Sequence, residues 1–424
     1  MAGIMAVVLA GGRGKRMDIL CNVRPKPALP FAGRFRVIDF SLSNCVHSGI
    51  GDIAVLTDYQ RSLMADYLNR WRTVNAGKLR FSVLEPQKGS YKGTADAVYQ
   101  NLDYLSKSDA ELVLVLAGDH IYKMDYRKMI DFHRASGADV TVGVVTVPMD
   151  QTYRFGTVNL GPDSRITEFV EKSEHSLSNL ASMGIYIFNK KVLMQRLAED
   201  AVLPDSPHDF GYAILPDMVH RDRVFAHLYQ GYWQDIGSKD AYFAANMELL
   251  GYEPSYSLDS TWHILSDLPD LALMQKTNQG SIKNSLVSPG CVIKGLVENS
   301  VLSPGVVVEE KAVVRNSILM DDVNVGYHTV VDRCILDKDV NISQYCYIGF
   351  DAGFPGMDAR ITVVGKGATV PSHTAVGRNC TVLPYVGPAD FCGSVVHSGT
   401  TLSPHSGRST SDLRLKLDES VADD

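Results

Sequence analysis

Ile4-Met5-Ala6-Val7-Val8-Leu9-Ala10-Gly11-Gly12-Arg13-Gly14-Lys15-Arg16 opens the chain with an apolar run that breaks into glycine and then into cations. The run is too short to span a bilayer and reads as a strand buried on both faces, as in a parallel sheet. Glycines let the backbone turn sharply and approach a ligand closely, because no Cβ intervenes. The N–H groups of such a turn cradle phosphate, and the neighbouring cations add charge. The spacing is neither the dinucleotide fingerprint nor the P-loop. A polyphosphate site at the end of the first strand and a purely structural turn both stand until the following residues are read.

Downstream, strand and helix alternate. The stretch Arg24-Pro25-Lys26-Pro27-Ala28-Leu29-Pro30 carries three prolines, which exclude a regular helix and stiffen the loop. Such a loop places a cation accurately, and Lys26 is the candidate, the alternative being a solvated surface lysine. Ile38 to His47 reads as a helix, 53–56 as a strand, 59–71 as a helix, and Gly93-Thr94-Ala95-Asp96-Ala97-Val98 as a helix start. The small residues there admit a flat ligand such as a base, or serve as a helix cap. The strand 111–116 ends in Ala117-Gly118-Asp119-His120. Ligands of open α/β sheets collect at the carboxyl ends of strands, so Asp119 is a candidate for Mg²⁺. A helix at 126–135 and a strand at 139–147 follow, and the alternation predicts a doubly wound, Rossmann-like, mostly parallel sheet.

The rhythm then changes to paired strands, 155–158 and 165–172, around Gly161-Pro162-Asp163. Strand alternation sends the side chains of Glu171 and Lys172 to opposite faces. Another strand covers 182–188, and Asp235 after an aromatic strand is a second candidate carboxylate for the metal. Beyond an irregular stretch, Asn284-Ser285-Leu286, Asn299-Ser300-Val301 and Asn316-Ser317-Ile318 recur, and Arg333-Cys334-Ile335 continues the series. Val364, Val370, Val376 and Val382 then fall six residues apart. A six-residue period with one buried apolar residue per side is the signature of a parallel β-helix. The domains expected are 1–250 catalytic, 251–280 linker, 281–400 left-handed β-helix and 401–424 disordered tail, with an inserted loop at 350–359.

Composition excludes several classes. At 424 residues, 45% hydrophobic and 21% charged, the chain is an ordinary globular protein of more than one domain. A net charge of −7 argues against nucleic-acid binding through bulk charge. No signal peptide or bilayer-spanning stretch is evident, and seven cysteines without a C-x-x-C pair point to reduced thiols in the cytoplasm without a zinc site.

Ordered along the chain, Leu-Ala-Gly-Gly-Arg-Gly at 9–14, Arg-Val-Ile-Asp-Phe at 36–40, Tyr-Lys-Gly-Thr-Ala-Asp-Ala-Val at 91–98, Ala-Gly-Asp-His-Ile-Tyr at 117–122, Phe-Val-Glu-Lys at 169–172, Ser-Met-Gly-Ile-Tyr at 182–186, His-Asp-Phe-Gly at 208–211 and Trp-Gln-Asp-Ile-Gly at 233–237 closely resemble the ADP-glucose branch of the sugar-nucleotide pyrophosphorylases. The resemblance implies an adenylyl transfer from ATP to glucose 1-phosphate with Mg²⁺, and a homotetramer. It assigns Arg16 and Lys26 to the triphosphate, Gly11 and Gly12 to the phosphate turn, and Asp119 and Asp235 to the metal. Lys172 falls to the sugar phosphate, Glu171 and Ser182 to glucose, Tyr91 and Gly156 to the sugar-nucleotide site, and Gln87, Gly93 and Thr94 to the adenine side. Two positions depart from the family pattern: Val23 stands where a lysine is common, and Ser90 where a tryptophan is. These departures predict weak or absent activation by fructose 1,6-bisphosphate. Three other readings remain: a silent regulatory subunit, an acyltransferase using His328, His373 or His397, and an interaction scaffold.

Overall fold

A computed structural model describes residues 3–75, 77, 79–250, 258, 261–268, 280–350 and 360–405. Most of the expected linker, all but the first residue of the expected inserted loop and most of the expected tail lie outside the described residues. Two compact units emerge: Met1–Gly12, Val37–Asp235 and Thr261–Asp267 form the first, and Arg13–Arg36, Ile236–Ser260 and Leu268–Asp424 the second. Residues 13–36 and 236–250, within the span expected as a single catalytic domain, thus group with the C-terminal coils.

The first unit is built on one nine-stranded sheet. Ile4–Leu9 lies between Asp52–Leu56 and Leu112–Ala117, parallel to both, and Arg80–Leu84 extends the parallel edge. Ile4 to Val8 are buried, which is why the strand is apolar without alternation. Leu180–Asn189 runs antiparallel to Leu112–Ala117 and starts the second half of the sheet, where the strand–helix rhythm fails. That strand also pairs with Val140–Thr146, and its register shifts between Ser182 and Tyr186. The bulge is centred on Gly184, whose φ of +65° is the left-handed region that glycine enters without strain. The expected helices form at Ile38–His47, Arg61–Asn75, Thr94–Tyr99 and Tyr126–Ser136. The last is capped by Asp125, whose side chain accepts the Arg127 N–H, and closed by Gly137 at φ +60°.

The second unit carries a three-sided parallel β-helix, with sheets of seven, seven and five short strands. Val364, Val370, Val376 and Val382 are all fully buried in its core. The longer repeat has its own physical cause. Asn284, Asn299, Asn316 and Arg333 take φ values of +42°, +45°, +48° and +56°, forming one left-handed corner. Asparagine tolerates that conformation, and here Asn284 Nδ2 also donates to Asn299 Oδ1 at 2.6 Å. The following serines form an inner ladder: Ser285 Oγ accepts the Ser300 N–H at 3.0 Å, Ser300 Oγ that of Ser317 at 3.1 Å, and Ser317 Oγ that of Cys334 at 3.1 Å.

The N-terminal segment of this unit folds tightly on itself. A Cβ on Gly14 would stand 3.0 Å from both Cys21 Sγ and Lys26 Cβ, and its φ is +63°. Lys26–Ala28 is a short 3₁₀ turn and no regular helix forms across the prolines. Lys26 is 6% exposed, which removes the surface-lysine alternative. Arg24 is also buried and pairs with Asp337 at 2.8 Å. Burial alone lowers the pKa of the Arg24 guanidinium, but Asp337 outweighs that effect and raises it. None of the seven cysteines is in a disulfide among the described residues, and six of them are buried. Among the described residues no helix is long and apolar enough to cross a membrane.

Ser300→Ala removes the acceptor for the buried Ser317 N–H and should destabilise the β-helix by about 1–3 kcal/mol. Ser285→Ala, at the less buried start of the ladder, should cost less. Thermal unfolding of the two variants beside the parent checks the order.

Candidate functional site

Three strands of the first unit end together. Gly118 N–H donates to Leu9 O at 3.0 Å, and a Cβ on Gly118 would stand 2.9 Å from that oxygen, so the ends of Ile4–Leu9 and Leu112–Ala117 approach backbone to backbone. Gly11 is equally constrained, since its Cβ would meet Asp58 Cβ at 3.1 Å and Tyr91 Cδ2 at 3.6 Å. Gly12 has open space around the Cβ position. Asp58 accepts the Tyr91 N–H at 3.2 Å and Arg61 Nη2 at 3.0 Å, tying the next loop to the same strand ends. The Tyr91 hydroxyl accepts from Asn101 Nδ2 at 3.1 Å, and burial pushes its pKa up to about 12.

Past Gly118 the chain makes the short strand His120–Tyr122, which pairs antiparallel with Trp233–Asp235 and sets His120 opposite Asp235. This pairing brings together the two carboxylates that sequence assigned to a metal. One ligand atom each from Asp119, His120 and Asp235 lie within 4.8 Å of one another. His120 Nε2 is 3.6 Å from Asp119 Oδ1 and 3.9 Å from Asp235 Oδ1, and Arg154 Nη2 is 3.7 Å from Asp235 Oδ2. The His120 ring packs against Trp233 at 5.1 Å, and its Nδ1 is buried without a hydrogen-bond partner among the described residues. Gly184 lies beneath, its Cβ position 3.4 Å from His120 Cε1. Two carboxylates and an imidazole suit a divalent cation, the carboxylates being hard oxygen donors. His120 was not singled out from sequence; its signal was adjacency to Asp119 at a strand end.

A second cluster gathers Gly156, Glu171 and Lys172. Lys172 Nζ lies 2.9 Å from Glu171 Oε1, so the expectation of opposite faces is corrected. The strand Ile166–Glu171 ends at Glu171, and Lys172 turns out of it with φ +48°, which brings its side chain back beside the carboxylate. Burial disfavours the Lys172 cation, but the hydrogen bond and charge of Glu171 raise its pKa on balance. The ammonium also stands 5.4 Å from the Tyr212 ring centroid. Glycine makes room for the carboxylate on two sides: a Cβ on Gly156 or on Gly211 would fall 2.5 Å from Glu171 Oε2. Ser182 is 8% exposed, donates to the Tyr186 hydroxyl at 3.3 Å and accepts the Gly184 N–H at 3.3 Å.

The remaining candidates are placed differently. Gly93 packs against backbone, its Cβ position 2.4 Å from His208 O. Thr94 Oγ1 donates to Asp209 Oδ2 at 2.8 Å and accepts the Phe210 N–H at 3.0 Å, so its hydroxyl ties the helix start to residues 209–210 and does not cap the helix itself. Gln87 is exposed and lines a groove with Lys92, Asp96, Tyr99 and His208, none of which is a member of either cluster. Arg16, exposed, and Lys26, buried, belong to the second unit. Val23 is buried there as well, so a lysine at this position would be forced into the interior. His328 and His373 sit on either side of Tyr345 in a ring stack, at centroid distances of 5.4 and 5.1 Å.

The nucleotidyl transferase family model matches residues 5–251, and the GlmU-like C-terminal hexapeptide model matches residues 270–371. A glucose-1-phosphate adenylyltransferase of Pseudothermotoga lettingae is 40% identical over 418 residues, covering 94% of this chain and 98% of its own. One of Acetivibrio thermocellus is 39% identical over 403 residues, covering 92% and 95%. One of Clostridium perfringens is 44% identical over 301 residues, covering 69% and 78%.

Gly156→Ala drives a methyl group into the space of the Glu171 carboxylate and should destabilise the protein by about 1–3 kcal/mol, as overpacking does. A crystal structure of the variant should show the Glu171–Lys172 pair displaced, and an unmoved pair would contradict the cradle.

Proposed function

The chain belongs to the nucleotidyl transferase family and, within it, to the glucose-1-phosphate adenylyltransferases, and from that premise we infer that it joins ATP and glucose 1-phosphate to give ADP-glucose and pyrophosphate. The product is an activated glucosyl donor of the kind that glycogen or a related α-glucan requires. A sugar-phosphate oxygen attacks the α-phosphorus in line and pyrophosphate leaves, so the protein supplies positioning and charge and no covalent nucleophile. The observation that carries the site assignment is the meeting of Asp119 and Asp235, from separate parts of the chain, within one cluster of ligand atoms.

Asp119 and Asp235 fit a divalent cation, with His120 beside them, and Mg²⁺ is the ion we assign. When bound, such an ion neutralises phosphate charge and orients the reacting oxygen. Lys172 offers its ammonium to the phosphate of glucose 1-phosphate, and Glu171 and Ser182 offer acceptors to sugar hydroxyls. Gly11 and Gly12 let backbone N–H groups approach phosphate. Tyr91 and Gly156 line the sugar-nucleotide site, and Gln87 the adenine side. Gly93 and Thr94 serve that side by holding the start of the helix Thr94–Tyr99. Arg16 and Lys26 are assigned to the triphosphate and the departing pyrophosphate. We further assign a homotetramer, to be checked by sedimentation, and a cytoplasmic location. Because Val23 and Ser90 stand where the family pattern has a lysine and a tryptophan, activation by fructose 1,6-bisphosphate should be weak or absent, and strong activation of the unmodified enzyme in a titration would defeat that expectation.

Turnover with glucose 1-phosphate should be highest with ATP, since a site that hydrogen-bonds one base rejects others by leaving polar groups unpaired. An equal or higher kcat/KM with dTTP, UTP or GTP would defeat the assignment. Asp119→Asn removes a carboxylate from the cluster and should lower kcat about a hundredfold or more with the fold intact. Lys172→Ala should instead raise KM for glucose 1-phosphate with a smaller change in kcat. If only the KM for ATP rose, Lys172 would be misassigned.

A further inference from the structure

We propose that His208, anchored by Asp200 and Ser206, is a positioning residue for the Glu171–Lys172 pair and acts through the loop 206–212; the proposal rests on the sugar-phosphate role assigned to that pair above. Asp200 and His208 are buried in this anchor and Ser206 is half-buried. Asp200, in the last turn of the helix Lys190–Ala201, accepts from His208 Nδ1 at 2.8 Å and from Ser206 Oγ at 2.5 Å. Ser206 Oγ in turn accepts the His208 N–H at 3.0 Å. A carboxylate only accepts, so the imidazole carries its proton on Nδ1. His208 is 6% exposed and holds φ +51°, a conformation that costs a side-chain-bearing residue energy and persists where its surroundings enforce it.

From this anchor the loop passes its position on in two directions. The His208 carbonyl accepts the N–H groups of Ala95 at 2.9 Å and Asp96 at 3.1 Å, and Gly93 permits that approach. Asp209 accepts the N–H groups of Gly211 at 2.8 Å and Tyr212 at 3.1 Å, and Thr94 Oγ1 at 2.8 Å. Gly211 then forms one wall of the Glu171 cradle, and the Tyr212 ring lies beside the Lys172 ammonium. Among the described residues His208 makes no hydrogen bond or ion pair with Glu171 or Lys172, yet three and four residues beyond it Gly211 and Tyr212 bound both. A loosened His208 therefore leaves the sugar-phosphate groups chemically whole and misplaced, which is the signature of positioning.

The test uses the full-length enzyme, initial rates against each substrate, and thermal unfolding. His208→Gly accepts the left-handed backbone but deletes the Nδ1 donor. His208→Asn also tolerates that backbone and restores an N–H donor at the δ position. His208→Gly should raise KM for glucose 1-phosphate about tenfold and KM for ATP much less, and His208→Asn should recover most of the loss. Should His208→Gly fail to fold, Ser206→Ala gives the same reading at an amplitude of about threefold. An unchanged KM for glucose 1-phosphate in a folded variant, or a loss of kcat that follows only the folded fraction, would overturn the proposal. A wild-type enzyme that does not turn over ATP and glucose 1-phosphate overturns the functional assignment and this proposal together, whereas an active wild type with an indifferent variant overturns this proposal alone.

Discussion

The strand Ile4–Leu9 is hydrogen-bonded on both edges, and that constraint governs the first unit. With Asp52–Leu56 on one side and Leu112–Ala117 on the other, both parallel, three chain exits must emerge at the same end of the sheet. At two of these exits glycine relieves the crowding. Gly11 passes Asp58 and Tyr91, and Gly118 passes the Leu9 carbonyl. The side chains that can occupy such an exit are those of the residues next to the glycines, and Asp58, Asp119 and His120 are among them. A parallel core thus concentrates carboxylates at its carboxyl edge before any ligand is considered.

How much of this was legible in the sequence follows from the range of each interaction. The first strand, the helices and the β-helix were legible because periodicity and local turn chemistry encode them. The Asn-Ser repeat was visible as a pattern, but its reason, a left-handed corner with a serine ladder inside it, needed the stacking of coils that are far apart in sequence. Asp119 and Asp235 could each be suspected, and the strand pairing that unites them could not, since His120–Tyr122 and Trp233–Asp235 are only three residues each. The Glu171–Lys172 pair escaped because alternation holds within a strand, and Lys172 has already left it. Gly211 and His208 were seen as part of a motif without a task, because the task is to make room and to anchor.

The second unit sets a different balance between charge and burial. Arg24 and Asp337 are both buried and 2.8 Å apart, and Lys338 pairs with Asp321 at 3.0 Å. Arg36 stands 4.0 Å from the same Asp321. Burial and then the charge of Arg36 lower the Lys338 pKa, while Asp321, penalised by burial, is held low by Lys338 and Arg36. Pairs of this kind add little net stability relative to apolar packing, because desolvation offsets attraction. Removing one partner is another matter, since the survivor is left buried and uncompensated. The pairs tie Arg24 to Asp337 and Arg36 to Asp321 within this unit, so the cost of losing either partner falls on the packing of residues 24–36.

Serial hydrogen bonding gives the first unit a comparable tie without charge excess. The loop 206–212 fixes its path with several polar groups: Ser206 and His208 on Asp200, the His208 carbonyl on a helix start, and Asp209 on Thr94 and on the following N–H groups. A neutral bond among these is worth about 1 kcal/mol net and one to a carboxylate about 1.5–3 kcal/mol. Their effect is cumulative because they share donors and acceptors in series, so none can shift without loosening the next. The carboxylate of Glu171 is held by the opposite principle, an absence of atoms on two sides at Gly156 and Gly211. A hole is only as well defined as its walls, and one of these walls is the loop itself. The precision of the Glu171 cradle is therefore inherited from the Asp200 anchor, which shares no bond with it.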